Sequence, residues 1–224
     1  MATRNPYPTA AAFLPKTRSL RALRIASQTC EGCDLYAHAT QTVFGEGPVH
    51  ARVVIVGEQP GDQEDRAGRP FVGPAGALLD EALAHAGIPR DDVYITNAVK
   101  HFKFTQRGKR RIHDKPTYYQ VQACKPWLDE ELDALEPEVI VLLGATAAQS
   151  RFGRAFKVTQ HRGEAIAHDG RVVICTVHPA SVLRAPDDDA RRDAREAFMR
   201  DFSAVGAAYR RTQRSRAHET HASP

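Results

Sequence analysis

Four short segments of the chain are apolar almost without interruption: ARVVIVGE (51–58), VYITNAV (93–99), EVIVLLG (138–144) and VVICTV (172–177). Continuous apolar runs of this length, rather than alternating ones, mark strands whose two faces are both covered, as in a parallel sheet flanked by helices. Helical patterns fall between and after them. PAGALLDEALAHAGI opens on a proline suited to a first helical turn and closes near Gly87. YYQVQACKPWLDEELDALE keeps an amphipathic repeat despite Pro126, and GATAAQSRFG is a short third helix. DDDARRDAREAFMRDFSAVGAAYRR carries acids at its start and bases at its end, which suits the helix dipole. The alternation predicts an α/β fold, a three-layer α/β/α sandwich with right-handed crossovers around a central four-stranded parallel sheet. No internal repeat is present.

The flanks are different. Residues 1–22 are rich in Pro, Thr, Ala and Arg, and residues 209–224 are polar and basic. Both are expected to be flexible, leaving one domain over 23–208. Neither a signal-peptide core nor a membrane-length apolar run is found, so a cytoplasmic protein is expected.

In an open sheet of this kind ligands bind beyond the carboxyl ends of the strands. The segments placed there are GEQPGDQED, TNAVKHFKF, GATA and VHPASVLR. The first continues to Gly76 and holds five glycines and three prolines in twenty residues, more punctuation than a strand-to-helix link requires. It lacks both the dinucleotide fingerprint and the GK[ST] of a phosphate loop, so it wraps some other ligand. Read alone, Glu58, Asp62 and Asp65 are equally ordinary loop carboxylates. His178 ends the last strand before a proline that restricts its backbone.

Charge narrows the ligand. The 224 residues carry a formal charge of only +4, but Lys100, Lys103, Arg107, Lys109, Arg110, Arg111 and Lys115 crowd one stretch. That suits an anionic partner, although an isolated run of this type is as often a solvated loop. The four cysteines, Cys30, Cys33, Cys124 and Cys175, favour metal or cluster ligation over disulfides in a reducing compartment.

Taken in order, GEQPGDQED, GRPFVGPAG, YITNAVK, LLGATAA and VHPASVLR resemble the family 4 uracil-DNA glycosylases over roughly residues 26–205. Gln59 in place of the family's usual small residue, with KHFKF and KRRIH, resembles the UdgX branch. The resemblance implies a [4Fe-4S] cluster and removal of uracil from DNA; the UdgX branch further implies a covalent bond between enzyme and product. It places the cluster on Cys30, Cys33 and Cys124, with His101 where the family has a further cysteine. A set using Cys175 stays open, and a Cys3His set would also suit zinc.

By the same resemblance Phe71 stacks on uracil, and Asn97 offers the donor and acceptor that the O4 and N3–H edge requires. His178 donates to uracil O2, with Gly57, Gln59 and Ser181 as further contacts in the turns. Glu58 and Asp62 face the sugar. Lys109, Arg110 and Arg111 grip phosphates and keep His113 neutral, and His113, oriented by Glu58, captures C1′. Single-stranded DNA is the expected substrate form, because flipping a base from a duplex costs a few kcal/mol. A monomer with no protein partner is expected. Two alternatives are a multiple-turnover enzyme releasing free abasic DNA and a non-catalytic, zinc-containing nucleic-acid-binding module.

Overall fold

The computed structural model describes residues 5–221, with side chains described to residue 214. Its main sheet is built from β1 (Val53–Gly57), β2 (Val93–Asn97), β5 (Val139–Leu143), β6 (Ala165–His168) and β7 (Arg171–Thr176), in the order β2-β1-β5-β7-β6. The four expected strands are the parallel ones. A fifth, β6, joins antiparallel at the edge, so the sheet has five strands rather than four. Its residues Ala165–His168 alternate exposed and half-buried positions, which leaves no apolar run. A separate antiparallel hairpin, β3 (Phe104–Arg107) and β4 (Arg110–His113), occupies the basic stretch.

Alternation along the strands produces the three layers. Val53, Ile55, Val93, Ile95, Val139, Val141 and Ile174 point into one core with α3 (Pro74–Ala86), α7 (Pro179–Leu183) and α8 (Asp188–His221). Val54, Val56, Tyr94, Ile140, Leu142, Val173 and Cys175 point into the other with α4 (Tyr118–Leu135), α5 (Gly144–Phe152) and α6 (Val158–His161). α3 begins with Pro74 at its first turn and ends at Gly87 in the left-handed region, while α4 starts on a Thr117–Gln120 capping box.

A third core lies away from the sheet. It joins Ala10, Leu23, Cys30, Cys33 and Phe44 to Val99, Cys124 and Trp127, with Leu23 on α1 (Leu20–Ser27) and Ala10 in a 3-10 turn packed on α4. At the other end Tyr209 is buried and donates to Asp92. Among the described residues no helix is long and apolar enough to cross a membrane.

Register carries Gly57 beside Asn97 and Leu143 beside Thr176, so β1, β2, β5 and β7 all deliver their exits to one edge.

Candidate active site

At that edge lies a cleft of about 750 Å³, lined by Glu58, Gln59, Asp62, Phe71, Asn97, His113, His178 and Ser181 among others. Eight of the residues expected at a site are thus drawn together. Gly57 lies directly beneath: a Cβ there would stand 2.3 Å from Asn97 Oδ1 and 2.7 Å from Phe71 Cζ. Only glycine lets the two side chains close over the strand end. Phe71 is itself fixed in a left-handed conformation (φ 55°). The first turn of α3 packs so tightly on it that a Cβ on Gly76 would meet its carbonyl oxygen at 1.8 Å. The Phe71 ring stacks on His178, centroids 5.7 Å apart at 28°.

Asn97 is buried at 2% exposure, and its Oδ1 has no hydrogen-bond partner among the described residues. A buried polar atom without a partner is rare, and Asn97 lines the cleft, where a group entering it can supply the bond. Behind it, the Lys100 ammonium donates to the Asn97 carbonyl oxygen at 2.8 Å and to Thr96 Oγ1 at 2.6 Å. It also pairs with Glu131, and both charged side chains are fully buried.

His178 caps α7: its Nδ1 accepts from Ala180 N–H at 3.2 Å, so the ring proton sits on Nε2. Burial, reinforced by repulsion from Arg184 and His113, pushes its pKa down to about 4. At neutral pH it is an uncharged imidazole with one fixed donor.

The hairpin brings His113 in from the opposite wall. His113 Nε2 lies 3.4 Å from Glu58 Oε1, and the other Glu58 oxygen accepts from the Thr146 hydroxyl. The hairpin's base is held by Gln59, whose Nε2 donates to Lys103 O and Asp114 O at 3.1 Å each while its Oε1 accepts from Lys103 N–H at 3.1 Å. The side chain expected to touch the ligand is therefore engaged in placing His113.

Arg111 also departs from expectation. Its side chain is 11% exposed and turned inward, paired with Asp62 and with Asp65 at 2.6 Å, over the rings of Phe102 and Phe104. It is a fastener for the hairpin rather than a free phosphate grip; Lys109 and Arg110 remain exposed at the tip. Asp62 is correspondingly held ionised: burial raises its pKa, but Arg66 and Arg111 outweigh that and hold it below the usual carboxylate range. Asp65 and Thr146 were not singled out by sequence as site residues. Each acts through a partner distant in the chain, and only the glycine-rich context around Asp65 gave a signal.

The chain is similar to known proteins. Residues 44–203 match the uracil DNA glycosylase superfamily. The chain belongs to that superfamily. A type-4 uracil-DNA glycosylase from Thermotoga maritima is 42% identical over 73% of this chain and 82% of its own length. One from Pyrobaculum aerophilum is 39% identical over 75% and 86%. A type-5 uracil-DNA glycosylase from the latter organism is 35% identical over 60% and 63%. The relatives named here are type-4 and type-5 uracil-DNA glycosylases, so the likeness is shown to the superfamily and its type-4 members and not to the UdgX branch.

On the far side of α4, Cys30, Cys33 and Cys124 share the third core, whereas Cys175 faces the second core inside β7. Cys175 thus lies apart from the other three cysteines, on a different core. Trp127 Nε1–H donates to Cys30 Sγ at 3.2 Å and Lys100 N–H to Cys124 Sγ at 3.3 Å. His101, the next residue, is buried, with Nε2 2.9 Å from Thr42 Oγ1. Burial raises Cys33 to about 11 and Cys124 higher still, so these two bare thiols are protonated. No three of the described His, Cys, Asp or Glu side chains converge as they would on a single ion.

Proposed function

We propose that the protein excises uracil from DNA by cleaving the N-glycosidic bond, turns over, and releases abasic DNA. The observation that carries this is the unpartnered Asn97 Oδ1 facing Phe71 and the Nε2–H of His178 across one cleft. Uracil stacked on Phe71 offers N3–H to Asn97 Oδ1 and O4 to its amide. Cytosine reverses that edge and leaves buried groups unpaired. As the C1′–N1 bond breaks, its electron pair passes to the base, and His178 donates to O2 as negative charge develops there. The α3 and α5 N-termini border the same cleft and favour an anion. A water captures the sugar cation and gives its proton to Glu58. Relatives named as type-4 uracil-DNA glycosylases support the turnover reading.

A second reading rests on the hairpin geometry. With His113 Nε2–H directed at Glu58, its Nδ1 lone pair is available to bond C1′ in place of water, and the Nε2 proton of the resulting imidazolium passes to Glu58. Incubation with a single-stranded uracil oligonucleotide followed by a denaturing gel separates the two. Turnover yields free abasic strand in excess over enzyme, and His113→Ser retains it. A shifted band resistant to detergent, stoichiometric with enzyme and lost in His113→Ser, establishes capture instead. Single-stranded substrate is favoured because no base pair has to be opened.

The buried cysteine trio with N–H donors on two of its sulfurs fits thiolate ligation, and Cys30, Cys33 and Cys124 with His101 would hold a [4Fe-4S] cluster. When bound, the cluster would supply a structural cross-link between the Cys30 and Cys33 segment that follows α1 and the helix α4. Purified protein is expected to be brown, with about four irons per chain by metal analysis. Colourless protein with stoichiometric zinc would overturn the assignment.

A further inference from the structure

Beside the cleft, across the start of α4, lies a second cavity of about 190 Å³. Its walls include Lys115 at the hairpin exit, Tyr118 at the first position of α4, Thr146 and Gln149 on α5, and Arg154 just beyond. Thr146 lines this cavity and donates to Glu58, which lines the first, so one residue separates the two. Two residues from His113, Lys115 is at most about 7 Å along the chain from the hairpin's catalytic end.

Two features point to a nucleic-acid occupant. Tyr118 is 40% exposed; the Arg154 guanidinium lies over its ring at 4.8 Å and the Tyr119 ring meets it edge-on, centroids 5.7 Å apart at 69°, so the ring is held in one orientation while much of it stays open to a further flat partner. Neither Arg154 nor Lys115 is paired with a carboxylate among the described residues, in contrast to Arg111. An oriented aromatic ring flanked by uncompensated cations, with glutamine beside it, is the combination that holds a single-stranded base and its phosphate without reading sequence.

We infer that this second cavity binds a nucleotide flanking the excised uracil on the same strand, with its base stacked on Tyr118 and its phosphate between Arg154 and Lys115. The inference rests on the uracil-DNA reading above and extends it to a second contact on the strand. It accounts for the two cationic sites differently: Arg111 is consumed within the protein, while Lys115 and Arg154 remain for the backbone.

Single-turnover uracil release, with substrate half-saturation and saturating rate measured separately, tests this on short single-stranded oligonucleotides. These are extended by three nucleotides on the 5′ side, on the 3′ side or on both. For the wild type, extension on one side is expected to lower half-saturation about tenfold. Tyr118→Ala should abolish that gain and Tyr118→Phe keep it, with the saturating rate and the affinity for the unextended oligonucleotide unchanged. Arg154→Gln should reduce the salt dependence of the extended substrate by about 0.7 in log–log slope. Because the Thr117–Gln120 cap does not use the Tyr118 side chain, alanine there leaves the helix start intact. A gain that persists in Tyr118→Ala overturns the subsite, as does an equal loss on extended and unextended oligonucleotides. If the wild type releases no uracil from any of them, it is the glycosylase reading that fails.

Discussion

Replacing Asn97 with aspartate is expected to lower kcat/KM for uracil about 10³-fold, close to 4 kcal/mol of transition-state stabilisation, and to collapse the discrimination between uracil and cytosine. Asparagine presents one acceptor and one donor to the base edge, and Gly57 beneath leaves no room for the side chain to retreat. An ionised aspartate presents two acceptors, so O4 faces a carboxylate oxygen with no hydrogen between them. A protonated aspartate recovers one donor, but on either oxygen, so it serves the reversed edge of cytosine as readily as that of uracil. Kinetics on matched uracil and cytosine oligonucleotides check this. An unchanged ratio would remove Asn97 from base recognition.

Lys100→Met is expected to destabilise the fold by about 3–5 kcal/mol, because it leaves Glu131 as an uncompensated charge inside the protein. Glu131 is ringed by donors, accepting from Gly45 N–H at 3.1 Å, Tyr94 Oη at 2.8 Å and Thr96 Oγ1 at 3.0 Å, but these are neutral. The double variant Lys100→Met/Glu131→Gln should recover much of the loss, since the amide still accepts from Gly45 and Tyr94 without carrying charge. Urea denaturation of the wild type, the single and the double variant gives the comparison. A single variant within about 1 kcal/mol of wild type would show that the pair is not held charged.

The parallel strands were legible because each is apolar on both faces, and their exits at a common edge followed from the sheet type. Glu58, Asn97 and His178, each at a strand exit, could therefore be placed near one another from sequence, whereas Phe71 joined them only through the family resemblance. The hairpin was not legible as strands. Phe104–Arg107 and Arg110–His113 are mostly solvent-exposed, so no buried face imposed an apolar alternation, and the stretch read as a charged loop. The pairing of Arg111 was not legible for a related reason: its carboxylate partners are 49 and 46 residues away, and composition cannot distinguish a paired cation from a free one. Cys175 is a contrasting case. Its strand position puts it on the second core, and the two-residue period that sets this was already present in VVICTV.

Gln59 also constrains the order of assembly. It lies 44 residues before Lys103 and 55 before Asp114, and its single side chain ties both ends of the hairpin to the end of β1. Local pairing of β3 with β4 needs only a short loop, whereas the Gln59 bonds must wait until β1 and β2 lie side by side and the long-range closure has been made. His113 therefore reaches Glu58 only once that closure is made, and a chain with its hairpin formed but not yet seated would lack one wall of its cleft.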